Sequence, residues 1–117
     1  MTLNLTWITC NNGGGWCPLE DVNLAGVNTL GVYVIWHEGN PGRVVRVGQG
    51  DIKDRLTKHR ADKQILAYKS RGTLRVTWAS VSSFYRDGVE RYLAETWKPL
   101  VGEAFPDCDS IAVNSPW

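Results

Sequence analysis

The chain has 117 residues, of which 43% are hydrophobic and 21% charged, and this composition excludes an intrinsically disordered protein and fits one folded domain. No apolar run approaches the ~20 residues of a transmembrane helix, and the N-terminus lacks a basic stretch followed by an apolar one. We therefore expect a cytoplasmic protein without a membrane anchor, whereas the net charge of +1 excludes no class of partner.

Residues 1–29 are predicted to cover one side of the core of this domain. They contain one short strand candidate, Leu3 to Thr9, and then a loop rich in Asn and Gly at residues 11–15. The loop lacks the Lys and the Ser or Thr of a phosphate-binding loop, and no strand-to-helix unit surrounds it. Residues 30–117 are expected to form the rest of the same compact domain.

Two strand patterns follow, separated by a strong turn. Residues 31–37 are rich in β-branched and aromatic side chains, and residues 38–42 supply Gly, Asn and Pro before a second apolar run at residues 43–47. The pattern predicts an antiparallel hairpin. Because side chains alternate along a strand, Tyr33 points to the same side as Ile35 and opposite to its two neighbours.

A helix is predicted next, because Asp51 can cap it and the apolar residues Ile52 and Leu56 are four residues apart. Arg55 and His59 are also four residues apart, so a helix places them one turn apart on one face. The two side chains can therefore act on one substrate.

Residues 74–81 predict a third strand, and a final helix ends before Pro99, with an apolar stripe at Val89, Leu93, Ala94 and Trp97. The start of that helix is predicted at Asp87, which has the spacing of a capping box with Glu90. The order β-β-α-β-α predicts a small single α/β domain, with a three-stranded antiparallel sheet flanked by helices.

The three cysteines, Cys10, Cys17 and Cys108, do not make an even disulfide framework, and a cytosolic location disfavours disulfides. A zinc site would need a fourth ligand, yet His37 and His59 lie far from the first two cysteines in sequence. We therefore expect buried or partly buried thiols.

The segment from Lys53 to Arg75 carries eight basic residues against two acidic ones, whereas six of the twelve acidic residues lie from Asp87 onward. A domain polarised in this way can offer a basic face to a phosphate backbone. Candidates for such contacts in this segment are Lys53, Lys58 and Arg60. The alternative is that these side chains are simply solvated on exposed helix faces.

The order of these motifs resembles that of the GIY-YIG nuclease family. The letters GVY at residues 31–33 stand for the first triplet, RVG at residues 46–48 for the second, and GQG leads into the helix DIKDRLTKHR. The segment ERYLAETWKP, which begins at Glu90, is similar to the glutamate helix of the family. The resemblance covers roughly residues 30–100. It implies an endonuclease that cleaves DNA, branched or damaged DNA included, with Mg²⁺ or Mn²⁺ as cofactor.

The resemblance also assigns roles to four residues. Tyr33 would be the general base that activates water, His59 would support the phenol, Arg55 would contact the scissile phosphate and Glu90 would hold the metal ion. A single carboxylate with phosphate oxygens and waters is a common way to hold Mg²⁺. The capping box with Asp87 is the alternative role for Glu90, and it needs no metal.

Three more positions are candidates for substrate binding. Arg46 stands where the family usually has its second tyrosine, and because a guanidinium has no dissociable proton at neutral pH, its expected role is to bind phosphate. Gln49 lies in the GQG turn. The family often has an Asn shortly after the Lys-Pro pair, where this chain has Gly102, and Asn114 in the tail is the candidate to replace it.

Two other functions remain open from the sequence. The same fold could bind nucleic acid or protein without cleavage, since Arg46 replaces a tyrosine. Exposed aromatic residues could instead form a protein interface, because the chain has six Trp. The sequence is compatible with a monomer or a homodimer.

Overall fold

The computed structural model describes residues 2–10, 15–102 and 105–117. Within these ranges the elements are β1 (Thr2–Leu3), β2 (Cys17–Pro18), β3 (Leu30–His37), β4 (Arg43–Asp51), α1 (Ile52–His59), α2 (Lys63–Leu66), a 3₁₀ turn (Ala67–Ser70), β5 (Leu74–Ser80), α3 (Ser83–Trp97) and β6 (Ala112–Val113). The central sheet is antiparallel, with the strand order β2-β5-β3-β4, and β1 and β6 form a separate parallel pair. The α/β class and the β3–β4 hairpin are thus confirmed.

The prediction of a three-stranded sheet is wrong by one strand. Strand β2 joins the β5 edge, where Cys17 pairs with Val76 and Pro18 with Arg75. A strand of two residues is too short to show the alternation of apolar and polar residues that reveals strands in a sequence. The strand candidate Leu3 to Thr9 is also too long, because only the Leu3 end belongs to a strand. Residues 11–14 of the predicted loop lie outside the described residues.

A β-bulge in the hairpin decides which face of the sheet Arg46 occupies. Ile35 pairs with Arg46, but the next residue of β3, Trp36, pairs with Val44, so Val45 has no partner opposite it. The extra residue changes the phase of β4. As a result Arg46 lies on the same face as Tyr33. At the bulge itself, Val44 and Val45 pack into the hydrophobic clusters on opposite faces of the sheet.

The two faces of the sheet have separate hydrophobic clusters. One face is covered by α1 and by part of the N-terminal segment, and its buried side chains include Leu19, Val22, Leu24, Tyr33, Ile35, Val45, Ile52 and Leu56. The other face is covered by α3, with Val32, Val34, Trp36, Val47, Val89 and Leu93. Tyr33 therefore belongs to the α1 face, although it lies deep in the sheet.

The helix boundaries explain how the site residues are oriented. Asp51 caps α1 as predicted, because its Oδ1 accepts a hydrogen bond from the Asp54 backbone N–H over 3.1 Å. The predicted capping box at Asp87 is wrong, because α3 begins four residues earlier, at Ser83, and its cap is Ser82. The sequence holds a signal for this earlier start, because Tyr85 lies four residues before Val89 and extends the apolar stripe by one turn. Asp87 and Glu90 consequently lie inside the helix, one turn apart.

The expectation that all three cysteines are thiols is also wrong. Cys10 and Cys17 form a disulfide, with 4.9 Å between their Cα atoms, whereas Cys108 is free and exposed. The Cys10 backbone N–H donates to the Gly15 carbonyl over 2.8 Å, and this return of the chain brings the two cysteines together. Nothing in the spacing of the cysteines indicates that return.

The helices of the described residues do not include one that is long and apolar enough to cross a bilayer.

Candidate functional site

An open cleft of about 900 Å³ lies at the β4 edge of the sheet and is lined by residues of both α1 and α3. Tyr33 of β3 and residues 46–49 of β4 also line it. The side chains that line it and that can take part in chemistry or binding are Tyr33, Arg46, Gln49, Arg55, His59, Gln64, Tyr68 and Glu90. All four residues to which the family resemblance assigns roles therefore reach the same cleft.

A buried hydrogen bond joins Tyr33 to His59 at the bottom of the cleft. The phenol oxygen and Nε2 of the imidazole are 2.5 Å apart, and the two residues are only 2% and 8% exposed. Tyr33 comes from the middle of β3 and His59 from the last turn of α1. The four-residue spacing between Arg55 and His59 then leaves the arginine higher on the same helix, exposed to solvent.

The imidazole is a neutral hydrogen-bond acceptor. The pKa of His59 is lowered to about 4, chiefly by burial and also by the nearby Arg46, while Asp62 opposes this shift. At neutral pH His59 is thus uncharged. A neutral imidazole has one N–H and one nitrogen lone pair, so when the proton is on Nδ1, Nε2 accepts the hydrogen bond and the Tyr33 hydroxyl donates it.

Burial raises the pKa of the Tyr33 phenol, and Glu90 adds to that effect. The Arg46 guanidinium, which hydrogen-bonds the phenol, lowers the pKa, and Arg55 acts in the same direction. Burial dominates, so the phenol of the free protein is protonated at neutral pH. Any proton that it takes from a substrate must be accompanied by transfer of its own proton to His59.

Two glycines of β4 leave room for the site. Gly48 lies directly opposite Tyr33 in the sheet, and a Cβ at this position would overlap the Tyr33 hydroxyl. Gly50 has φ +124°, a conformation that other residues rarely adopt, and a Cβ there would lie 3.1 Å from Nε of Arg55. The glycines of RVG and GQG are therefore required by the positions of the phenol and the guanidinium.

Arg46 and Arg55 provide the positive charge of the cleft. Arg46 is half-buried, and its Nε is a buried donor without a hydrogen-bond partner among the described residues. Neither arginine forms an ion pair with a carboxylate of the described residues. A guanidinium that is partly desolvated and not neutralised favours binding of an anion, and phosphate matches its planar array of donors.

Gln49 connects two carboxylates on α3 at the opposite wall of the cleft. Its Nε2 donates to Oε1 of Glu90 over 2.9 Å and to Oδ1 of Asp87 over 2.5 Å. Burial raises the pKa of Glu90; the hydrogen bond from Gln49 lowers it and Asp87 raises it again. The sequence predicts a helix cap at Asp87, whereas Ser82 is the cap in the structure. Asp87 and Glu90 are three residues apart, and a helix places such residues on one face. This spacing could have indicated a carboxylate pair.

The carboxylate pair fits a hydrated Mg²⁺ or Mn²⁺ ion better than a zinc ion. Among the described residues there is no group of three His, Cys, Asp or Glu side chains arranged to hold a metal. Mg²⁺ does not need such a group, because it keeps several waters and binds through one or two carboxylates together with substrate phosphates. Glu90 and Asp87 provide that donor set, and the side-chain oxygen of Gln49 lies beside them if its amide turns.

Three of the predicted substrate-binding residues, all of them basic, lie outside the cleft. Lys53 and Lys58 are exposed on α1, and Lys58 pairs with Asp54 over 3.3 Å. The Arg60 guanidinium donates to the Val22 carbonyl over 2.9 Å, which ties α1 to the N-terminal segment. The three basic residues thus belong to α1 and its C-terminal end, and none of them lines the cleft.

Asn114 does not replace the missing asparagine of the family pattern. Its side chain exchanges two hydrogen bonds with the backbone of Leu5, accepting one over 2.6 Å and donating one over 2.9 Å. These bonds join the tail to the N-terminal strand beside the β1–β6 pair. Asn114 thus has a structural role. The sequence does not reveal how the tail aligns with the N-terminal strand, and this alignment decides the partners of Asn114.

Tyr68 is a cleft residue that sequence reasoning missed. The Tyr68 ring stacks on the His37 ring, with 6.1 Å between the two centroids. The Arg71 guanidinium lies over the Tyr68 ring, 5.9 Å from its centroid. The segment around Tyr68 has neither helical nor strand periodicity, so nothing in the sequence indicated a position beside Arg55 and His59.

Protein-family models, curated proteins and solved structures give no match to this chain.

Proposed function

We propose that the protein is a divalent-metal-dependent endonuclease that hydrolyses phosphodiester bonds of DNA. The observation that carries the proposal is the buried Tyr33–His59 hydrogen bond of 2.5 Å at the bottom of a cleft lined by two arginines and a glutamate. A proton acceptor, a phosphate-binding group and an oxygen ligand for a metal are the parts that phosphodiester hydrolysis needs.

Tyr33 and His59 form a path for one proton. A water held by the phenol oxygen attacks phosphorus and gives its proton to that oxygen, while the phenol passes its own proton to Nε2 of His59. The bond from phosphorus to the leaving sugar oxygen breaks, and this oxygen takes a proton from solvent. Tyr33 ends the step as a neutral phenol and His59 as an imidazolium, which then loses its proton to solvent. The low pKa of His59 makes that last release favourable at neutral pH.

Arg46 and Arg55 hold the phosphate and stabilise the charge that grows on it. Both line the cleft and act electrostatically on the Tyr33 phenol, so a phosphate bound between them would present phosphorus to a water on the phenol. The partial burial of Arg46 strengthens its interaction with an anion, because fewer waters screen it. Arg46 also favours transient negative charge on the phenol, since it lowers the pKa of Tyr33.

Glu90, with Asp87, would hold the metal ion. When it is bound, such an ion neutralises charge on the phosphate and on the leaving oxygen. Gln49 keeps the two carboxylates positioned at the cleft in the free protein, since one amide group donates to both.

The proposal is tested by cleavage of supercoiled plasmid DNA with Mg²⁺. Tyr33→Phe removes only the hydroxyl, and Glu90→Gln removes only the charge, so both variants should fold. We expect each to lower the rate by about 10²-fold or more, while Tyr85→Phe, a matched change at an exposed tyrosine, keeps the wild-type rate. Cleavage at the wild-type rate by both site variants would contradict the proposal.

A second candidate function is a nucleic-acid-binding module that does not cleave. The observation in its favour is that Gln49 already satisfies both Asp87 and Glu90, so a metal must displace that amide. This function predicts DNA binding that weakens steeply with salt and gives no product with any divalent metal. The plasmid experiment separates the two functions directly.

A further inference from the structure

The first turn of α3 carries an aromatic side chain that the folded chain leaves in water. Phe84 is 90% exposed, and Leu30, at the start of β3, is 53% exposed. The Leu30 carbonyl accepts a hydrogen bond from the Val81 backbone N–H over 3.2 Å, one residue before the helix cap. Both apolar side chains therefore lie at the same end of the sheet. Isolated exposed apolar residues are common, but a nearly fully exposed Phe at the same end of the sheet as an exposed Leu is a candidate binding surface.

This apolar pair does not line the cleft, but it is connected to the cleft through neighbouring residues. Phe84 precedes Asp87 by three residues, about 4.5 Å along the helix axis and on a neighbouring position of the same face. Asp87 is hydrogen-bonded to Gln49, which lines the cleft. On the other side, Leu30 pairs with Asp51, the cap of the helix that carries Arg55. The pair thus lies at the end of the sheet where α1 and α3 begin.

The size and surroundings of the pair favour a DNA base step over a protein partner. Two side chains are far smaller than the ~800 Å² that each partner contributes to a stable protein interface. An apolar wedge of one or two side chains is what proteins insert between stacked bases to kink a duplex. A phosphate held between Arg46 and Arg55 would bring an adjacent base step to this end of the cleft.

We propose that Phe84, supported by Leu30, inserts between bases next to the scissile phosphate, so that the preferred substrate is DNA whose stacking is easily broken at that step. This inference rests on the proposed nuclease function. It adds a substrate class to that function: duplexes that carry a mismatch, a nick or a flexible pyrimidine–purine step at the cut site, because less stacking is lost there.

The test uses Phe84→Ala, with Tyr85→Ala as the matched control. Tyr85 is the next residue, is 39% exposed, and points about 100° away around the helix. Unstacking is measured by the fluorescence of 2-aminopurine in a duplex, with Ca²⁺ in place of Mg²⁺ and the same samples checked for product. We expect the wild type and Tyr85→Ala to raise the fluorescence several-fold and Phe84→Ala to lose most of the increase.

Cleavage of two duplexes by the same proteins gives a second measurement. Phe84→Ala should cleave the continuous duplex at least about tenfold more slowly. Without the wedge, the free energy of unstacking one base step is no longer offset, and even a small unstacking cost corresponds to about a tenfold change. A duplex with a mismatch at the cut site should be cleaved within about twofold of the wild-type rate, because its stacking is already broken. Thermal unfolding of Phe84→Ala should match the wild type, because the ring has almost no contacts to lose.

The failures of the wedge and of the nuclease function can be distinguished. If the wild type cleaves DNA but Phe84→Ala unstacks and cleaves both duplexes as the wild type does, the wedge is wrong and the nuclease function stands. If the wild type unstacks DNA without cleaving it, and Phe84→Ala does not, the wedge is correct and the nuclease function fails. A change in sedimentation from dimer to monomer in Phe84→Ala, with unstacking unaffected, would assign the pair to a protein interface and overturn the proposal.

Discussion

A hydrogen bond of 2.5 Å joins the Tyr33 hydroxyl to Nε2 of His59, and both residues are almost completely removed from solvent. Burial acts in opposite directions on their two pKa values: it raises the pKa of the phenol and lowers that of the imidazole. Both shifts favour the neutral forms. The pair therefore rests as phenol and neutral imidazole, which is the state from which a proton can move toward His59.

Stability should fall in acid because of His59. Its pKa is about 6.5 in the unfolded chain and about 4 in the folded protein, so between these values the unfolded state binds the proton more tightly. The contribution of neutral His59 is complete above pH 6.5 and is lost as the pH falls toward 4, with a slope of at most about 1.4 kcal/mol per pH unit.

The check is chemical denaturation of the wild type and of His59→Gln at pH 7.5 and pH 5. The wild type should lose more of its free energy of unfolding over this interval than the variant. The buried His37, whose pKa burial also lowers, contributes a similar loss to both proteins and cancels in the comparison. Equal losses in the two proteins would show that His59 titrates normally.

Arg46 should hold down the pKa of His59. After burial, the charge of Arg46 is the largest cause of the lowered pKa of His59. The Arg46→Gln variant removes this charge, so the pKa of His59 should rise above about 4. NMR of the imidazole protons measures this pKa. Arg43→Gln is the control, because that arginine lies on the same strand but acts on His37. The same pKa for His59 in all three proteins would place Arg46 too far away to assist the phenol.

Gly48→Ala should disturb the phenol directly. The added Cβ overlaps the Tyr33 hydroxyl, so the sheet or the ring must shift, at a cost of about 1–3 kcal/mol of unfolding free energy. The cost should be smaller when Tyr33 is already Phe, because the atom nearest to the new Cβ is then gone.

Gly26→Ala is the matched control for that substitution, since a Cβ there has no neighbour within 4 Å. We expect no loss of stability from it, or a gain of a few tenths of a kcal/mol from the stiffer unfolded chain. An additive double-mutant cycle between positions 33 and 48 would mean that the two residues are not in contact.

Metal dependence should reside in the carboxylates of α3 that face Gln49. Glu90→Gln should abolish Mg²⁺-dependent activity, and Asp87→Asn should raise the Mg²⁺ concentration needed for half of the maximal rate. Glu95→Gln serves as the control, because that exposed carboxylate pairs with Arg91 instead.

Since burial raises the pKa of Glu90, protonation should weaken metal binding at a higher pH than for an ordinary glutamate. Calorimetric titration of Mg²⁺ at pH 5 and 7.5 measures this.

The sequence predicted the parts of this molecule that depend on local periodicity. The hairpin, the cap at Asp51 and the common face of Arg55 and His59 follow from alternation, turn residues and helix spacing. The pairing of Cys10 with Cys17 and the edge strand β2 depend on how the N-terminal segment packs. Long-range packing of this kind leaves no periodic pattern in the sequence, and β2, with two residues, is too short to show one.

The site shows the same division between local and long-range information. The side of the sheet on which Arg46 lies depends on the bulge at Val45, and the partners of Gln49 depend on where α3 crosses the hairpin. Neither can be deduced from spacing along the chain. The role of Asp87 was missed because Ser82, not Asp87, caps α3, and both residue types are good caps.

The most direct test of the central claim is the single-turnover rate of DNA cleavage by Tyr33→Phe relative to wild type in Mg²⁺ at neutral pH. We predict cleavage by the wild type and a loss of about 10²–10⁴-fold in the variant, with its secondary structure and DNA affinity retained. A wild-type rate in Tyr33→Phe, or a wild-type protein that binds DNA and leaves every phosphodiester bond intact, would contradict the account.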